Sequence, residues 1–224
     1  MQIPQPDIVA LSSVALLVST FGVVVRRSFA GWLSAYRYQS IVLAGSTGLI
    51  AYATGVWEIY AAAVLTLLVK AIVIPRLLVR VTEGVNDEFK IEANPYVSIR
   101  LSVLISALLV ALSYALVQEI LPSAGLDGLA AAAYLPVSLS LFFIGLFVMV
   151  SRRMALNQVV GLLFIENGLF LFSTALTIGV SLIIEVGILA DILVGVMISS
   201  LLLLRMNQTF DTLDIGRLEK LKDD

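Results

Sequence analysis

The stretch LNQVVGLLFIENGLFLFSTALT, residues Leu156–Thr177, carries one ionisable side chain, Glu166, in an otherwise almost wholly apolar run. About 20 helical residues are enough to cross a hydrocarbon layer of roughly 30 Å. Such runs recur along the chain at about Ile8–Val25, Gln39–Thr54, Trp57–Val79, Ile99–Leu121, Leu129–Val150, Leu156–Thr177 and Ile183–Leu204. The sequence therefore predicts an all-α polytopic membrane protein with seven transmembrane helices.

The composition excludes several other classes of protein. Of the 224 residues, 60% are apolar and only 13% are charged, with a mean hydropathy of +1.03. A soluble domain of this length cannot bury so much apolar surface, and neither a disordered chain nor a nucleic-acid-binding protein has this composition. The chain contains no His and no Cys, the usual ligands of haem, copper and iron–sulfur clusters. We therefore expect no cofactor and no electron transfer through this chain.

The charges predict the orientation. If the amino terminus lies outside, the outer segments carry only the acids Asp7, Glu58, Glu119 and Asp127. The inner loops and adjoining helix ends then hold thirteen of the fourteen basic residues: Arg26, Arg27, Arg37, Arg76, Arg80, Lys90, Arg100, Arg152, Arg153, Arg205, Arg217, Lys220 and Lys222. Under the positive-inside rule this split predicts the amino terminus outside and the carboxyl terminus inside, in a multi-pass protein of the cell inner (plasma) membrane.

Four ionisable side chains fall inside the predicted spans: Lys70, Glu166, Glu185 and Asp191. A charge near the bilayer centre costs about 2.5–3.5 kcal/mol, so such residues usually face the bundle interior and mark ion or proton pathways. At about 1.5 Å per residue, Lys70, Glu166 and Asp191 lie at a similar depth. We therefore expect Glu166 and Asp191 to approach one another and to relay protons with Lys70, and Glu185 to serve access from the outer side.

Neighbouring residues suggest how such a relay is built. Gly187 and Gly195 lie one turn on either side of Asp191 and allow a neighbouring helix to approach closely. Pro75 lacks a backbone donor and predicts a kink one turn beyond Lys70. Ser173 and Thr177 share a helix face with Glu166. These two residues and Asn167 can either extend a hydrogen-bonded proton path or only pack against neighbouring helices, and both roles remain open.

Structural interpretations remain open for the same residues. Lys70 with Glu166 or Asp191 can be a salt bridge that sets helix register, and Glu185 can reach interfacial water. A further group of aromatic residues lies near predicted span ends and is interpreted as interfacial. These residues are Trp32, Tyr36, Tyr38, Trp57 and Tyr60.

Parts of the chain resemble a known family. Arg152–Leu156 (RRMAL), followed by Gly161–Gly168 (GLLFIENG), resembles the second helix of the NuoK-type subunit of complex I, and Ala190–Val196 (ADILVGV) resembles its third. The longer chain, with Leu67–Ala71 (LLVKA) and Glu166–Phe170 (ENGLF), is similar to the hydrogenase-4 component E family. Two departures are that the second carboxylate is Asp191 rather than Glu, and that Glu166 lies about one turn further from its basic pair.

The resemblance implies a domain organisation and partners. The order of the spans predicts an N-terminal three-helix unit with an inner loop (1–97) and a fourth connecting helix (98–128). The resemblance implies that a NuoK-like three-helix unit (129–206) follows, and the chain then ends in a predicted cytoplasmic tail (207–224). The implied function is that of a proton-translocating, non-redox subunit beside larger antiporter-like subunits and a [NiFe] hydrogenase-type module with iron–sulfur clusters. Two alternatives remain: a structural adaptor without a proton path, and an independent secondary transporter.

Overall fold

The computed structural model describes residues 6–82, 95–123, 132–152, 155–176 and 195. Seven α-helices and two short helical segments of other types make up the described part of the chain, and no strand occurs there. The α-helices are α1 (Pro6–Val25), α2 (Phe29–Thr54), α3 (Trp57–Leu68), α4 (Ile74–Thr82), α5 (Ile99–Ser123), α6 (Leu135–Ser151) and α7 (Ala155–Leu176). A π-turn, Val69–Val73, joins α3 to α4, and a 3₁₀ turn, Ala132–Tyr134, precedes α6.

Five helical stretches of the described chain are long and apolar enough to cross a membrane. They are Asp7–Val25, Trp57–Arg80, Ile99–Ser123, Ala132–Ser151 and Asn157–Leu176. The all-α class is therefore confirmed, and each of these stretches overlaps a predicted span. α2 is less apolar, in keeping with the Gly and Ser residues in its middle. The seventh predicted span lies outside the described residues except for Gly195, which is helical. The count of seven and the orientation stay predictions.

The predicted inner loop from Arg26 to Arg37 is wrong over most of its length. α2 begins at Phe29, capped by Ser28, whose hydroxyl accepts a hydrogen bond from the Gly31 amide at 3.2 Å. A serine in this position satisfies an otherwise unpaired amide of the first turn. The connection between α1 and α2 is therefore only a few residues long, and Arg37 lies on a helix.

Two apolar clusters fill the interior at different heights. The first apolar cluster includes Val23, Val24, Trp32, Tyr36, Ile74, Leu78, Val148, Val160 and Phe164. The second includes Val9, Leu16, Leu43, Ile50, Ile59, Tyr134, Leu141, Phe170 and Leu171. α1, α3–α4 and α6 run from the second cluster to the first, whereas α2 and α7 run the other way. Consecutive helices are therefore antiparallel, except that α3 and α4 continue in the same direction.

The described charges separate between the two ends of this bundle. The acids Asp7, Glu58 and Glu119 adjoin residues of the second apolar cluster. The arginines adjoin the first; they are Arg26, Arg27, Arg37, Arg76, Arg80, Arg100 and Arg152. The charge asymmetry expected from sequence is thus also an asymmetry in space.

The π-turn keeps one side of the third helical stretch buried. Thr66, Lys70, Ile74, Leu78 and Thr82 are all buried and follow each other at intervals of four residues. In a straight α-helix a residue four positions on is rotated by about 40°, so this series would turn almost halfway round the axis. A π-turn winds less per residue and offsets part of that drift. Lys70 lies inside this π-turn, which replaces regular α-helix immediately before α4 and Pro75. From the sequence, a proline kink was expected one turn beyond Lys70.

The backbones of α6 and α7 approach each other closely at three glycines. A Cβ on Gly168 would lie 2.7 Å from the backbone nitrogen of Phe142 and 2.8 Å from the Ser138 carbonyl oxygen. A Cβ on Gly145 would lie 2.7 Å from the Ile165 nitrogen, and one on Gly161 would meet Met149 at 2.9 Å. Glycine is needed at all three positions because any side chain would separate the helices.

The interpretation of Trp32 and Tyr36 as interfacial is wrong. Trp32 is 2% exposed and Tyr36 is fully buried, and both belong to the first apolar cluster. The indole of Trp32 donates to the carbonyls of Val23 and Arg26, at 3.0 and 2.8 Å, which closes the connection between α1 and α2. Tyr38, Trp57 and Tyr60 are exposed.

Candidate functional site

A buried ion pair joins the π-turn to α7. Lys70 Nζ donates to Glu166 Oε1 at 2.5 Å, and the two residues are 0% and 7% exposed. Their side chains meet between the first and second apolar clusters, so the pair lies well inside the apolar bundle. Similar depth was predicted for these two residues from the helical rise, and their contact agrees with it.

The ammonium of Lys70 has two further neighbours on α7. Nζ donates to Asn167 Oδ1 at 3.2 Å and lies 4.4 Å from the centre of the Phe170 ring. A cation near the face of an aromatic ring is attracted by the ring's negative π-face, more strongly where water is excluded. The charge is therefore held by a carboxylate, an amide oxygen and a ring that all belong to one helix.

A hydrogen-bonded arm extends from Asn167 across the bundle. Asn167 Nδ2 donates to Gln39 Oε1 of α2 at 2.9 Å, and Gln39 Nε2 donates to Thr20 Oγ1 of α1 at 2.8 Å. The Thr20 hydroxyl then donates to the Leu16 carbonyl at 2.8 Å. Asn167, Gln39 and Thr20 are all fully buried. Four helical elements are thus tied together in one polar layer.

Every donor in this arm points away from Lys70. The sequence of donations runs from Lys70 to Asn167, to Gln39, to Thr20 and ends on a backbone carbonyl. Amide nitrogens do not exchange protons readily in the way that carboxylates and amines do, so the arm is unsuited to conduction. Its chemical effect is to orient the Asn167 oxygen toward the ammonium.

On α3 and α7, two buried side-chain oxygens have no hydrogen-bond partner within the described part of the chain. One is Glu166 Oε2, the second oxygen of the paired carboxylate. The other is Oγ1 of Thr66, one turn before Lys70 on the same buried face. A buried polar atom normally acquires a partner, either protein or water, so both positions suit a water molecule or a further polar side chain.

Tyr36 closes the site on the side of the first apolar cluster. Its ring lies 6.1 Å from that of Phe164, at an interplanar angle of 58°. It is also close enough to Glu166 to interact with it electrostatically. On this side the carboxylate therefore has an aromatic side chain of the bundle as its neighbour.

The structure places some of the other predicted site residues and leaves others undescribed. Ser173 is half-buried on α7, two turns from Glu166, and Pro75 is buried in the first turn of α4. Gly195 is helical and half-buried. The four predicted residues Thr177, Glu185, Gly187 and Asp191 lie outside the described residues, so the expected approach of Glu166 and Asp191 stays a prediction. Within the described ranges, no group of three or more acidic residues could hold a metal ion.

Sequence reasoning missed Gln39 and Thr20 and left Asn167 undecided between wire and packing. Gln39 is the first residue of the predicted span Gln39–Thr54, where a polar side chain is expected because span ends lie near water. No distinct signal in the sequence marks Gln39, because Arg37, Tyr38 and Ser40 next to it are also polar. Only the three-dimensional packing of α1, α2 and α7 shows that these three side chains share a layer with Lys70.

The fold and the buried ion pair define an all-helical membrane protein with charged groups in its interior. Across 93% of both chains it is 29% identical to uncharacterized protein Rv0085 of Mycobacterium tuberculosis. Over 120 residues it is 37% identical to hydrogenase-4 component E of Escherichia coli K12, and equally to that of Shigella flexneri.

The hydrogenase-4 matches cover 53% of this chain and 54% of each relative, so the similarity extends over about half of either protein. They support a relationship to the component E family. No family model matches the chain, and no solved structure matches it.

Proposed function

We propose that this protein is a proton-translocating membrane subunit of a complex I-related, hydrogenase-type complex. Protons would move through Lys70 and Glu166, continue to Asp191, and have Glu185 as the outer access residue. The observation that carries the proposal is the Lys70–Glu166 pair, buried between two apolar clusters. An amine and a carboxylate in contact can exchange a proton without crossing apolar space.

The two unpartnered oxygens support a relay that continues beyond the pair. Glu166 Oε1 accepts a hydrogen bond from Lys70, whereas Oε2 has no donor among the described residues. Lys70 is the proton donor in this pair, so it would first release a proton to a further acceptor of the relay. A protonated carboxyl, or a water that is itself reprotonated, would then protonate Glu166 at Oε2, and the neutral amine of Lys70 would take that proton from the carboxyl group. The amide arm would keep the Asn167 oxygen in position to accept a hydrogen bond from Lys70.

The partners belong to the same proposal. The chain has no His or Cys, so energy for translocation would come from a [NiFe] hydrogenase-type module with iron–sulfur clusters, acting through larger antiporter-like subunits. The similarity to hydrogenase-4 component E supports membership of a multisubunit hydrogenase complex. The location would be the cell inner membrane, with the arginine-rich end facing inward.

The test compares Glu166→Gln and Asp191→Asn in the complex purified through a tag on this chain. Glu119→Gln is the control, because Glu119 is an exposed carboxylate at the end of α5. If the relay is correct, proton uptake per turnover, measured on the assembled complex, falls in the first two variants only. A structural adaptor would instead give normal coupling in all three, and that result would refute the relay.

A further inference from the structure

We infer that a groove on the arginine-rich side of the bundle binds the headgroup of an anionic phospholipid. The groove has a volume of about 420 Å³ and is lined by Arg37, Val73, Pro75, Arg76, Leu77, Val79 and Arg80. Its three guanidinium groups come from α2 and α4, and its remaining lining is apolar. This inference does not depend on the proton relay.

The charge of the groove is not balanced within the described chain. The described acids other than Glu166 are Asp7, Glu58 and Glu119, which adjoin the opposite apolar cluster, and Glu166 is paired with Lys70. Arg76 and Arg80 are one turn apart on the same face of α4, and all three arginines are exposed. The three positive charges around the groove repel each other, and an anion bound between them would offset this repulsion.

The depth of the arginines favours a lipid over an anion from bulk water. Taking the Lys70 layer as the middle of the membrane, Arg76 lies about 9 Å and Arg80 about 15 Å toward the arginine-rich end. Arg37 is only two residues from Gln39, which belongs to that layer. An exposed arginine at this depth lowers its cost by reaching toward the interface and drawing phosphate groups inward.

The apolar part of the lining fits the rest of a lipid. Val73 and Val79 are exposed beside the arginines, and Leu77 is half-buried. A phosphate bound by guanidinium groups, with its acyl chains on neighbouring apolar side chains, uses both parts of the groove. Arginine suits phosphate because its planar fork can donate two parallel hydrogen bonds.

The test measures lipid binding by the full-length chain, delipidated in detergent, by native mass spectrometry. Phosphatidylglycerol is titrated against phosphatidylcholine, and inorganic phosphate is added as a competitor. The variants Arg37→Gln, Arg76→Gln and Arg80→Gln are made singly and together. The control is the triple variant Arg26→Gln/Arg27→Gln/Arg100→Gln, which removes the same charge from exposed positions outside the groove.

We expect the wild-type chain to bind phosphatidylglycerol in preference to phosphatidylcholine. Each single groove variant should weaken that binding about five-fold, the factor that corresponds to about 1 kcal/mol per basic residue near an anionic surface. The control variant should bind like the wild type. Equal losses in the groove and control variants would overturn the inference, as would full competition by inorganic phosphate, which would identify a site for a free anion.

Discussion

Lys70 and Glu166 are 96 positions apart in the chain, yet their side chains meet at 2.5 Å between the two apolar clusters. The contact joins α7 to the π-turn between α3 and α4. Because both groups are buried, neither can exchange its partner for bulk water. The stability and the proposed function of the bundle therefore depend on the same pair, and they need separate tests.

Replacing Lys70 alone should destabilise the protein strongly. Lys70→Met leaves the Glu166 carboxylate buried without its cation, and such a loss costs about 3–5 kcal/mol. The double variant Lys70→Met/Glu166→Leu should recover most of this, since an apolar replacement of a buried pair is often neutral or stabilising. Thermal unfolding in detergent measures both effects. A double variant as unstable as Lys70→Met would mean that packing, and not charge, dominates the site.

The amide arm should behave as one energetic unit. Gln39→Leu leaves the Asn167 amide and the Thr20 hydroxyl with unfilled bonds, and Asn167→Leu does the same to Gln39 and Lys70. Each variant should lower the free energy of unfolding by about 1–3 kcal/mol. The double variant should lose less than the sum, by about 0.5 kcal/mol or more. Chemical unfolding of the four proteins gives this cycle, and simple additivity would contradict the coupling.

The glycines between α6 and α7 should not tolerate even a methyl group. Gly168→Ala places a carbon against the backbone of Phe142, and we expect a loss of about 1–3 kcal/mol. Gly45 provides the matched control, because it is helical and a Cβ there meets nothing within 4 Å. Gly45→Ala should gain about 0.5–1 kcal/mol from helix propensity. If the melting temperatures of both variants changed in the same direction, that result would argue against a close backbone contact at Gly168.

Arg152 should stabilise the end of α1. It is 1% exposed, and its Nη2 donates to the Val24 carbonyl at 2.6 Å, in the last turn of that helix. A cation here satisfies a terminal carbonyl and interacts favourably with the helix dipole. Arg152→Ala should therefore lower the melting temperature clearly, and Arg152→Lys less, whereas exposed Arg27→Ala should leave it unchanged. Equal shifts for Arg152→Ala and Arg27→Ala would assign the effect to net charge.

The sequence predicted the class of fold because length and apolar content are local properties. It also identified Lys70 and Glu166, since charged residues inside apolar runs are few. The start of α2 at Phe29 was not predictable in the same way, because its first turns contain Ser34, Arg37 and Gln39. Polar residues of this kind are typical of a loop, and only the packing of α2 against other helices shows that they belong to a helix.

The π-turn and the burial of Tyr36 were beyond a sequence argument for different reasons. A periodicity of 3.6 residues describes a straight helix, so the wider turn at Val69–Val73 leaves no separate signal. Aromatic residues near span ends are usually interfacial, and the close packing of Tyr36 against Phe164 depends on how α2 meets α7. Both features arise from contacts between distant segments.

The glycine contacts also determine which side of the ion pair is able to move. α6 and α7 touch through backbone atoms, so they shift only as a block, and Glu166 shifts with them. The lysine, in contrast, projects from the one irregular turn of its stretch, on a long and rotatable side chain. The pair would thus open and close by rotation of the Lys70 side chain, while Glu166 keeps its place on the α6–α7 block.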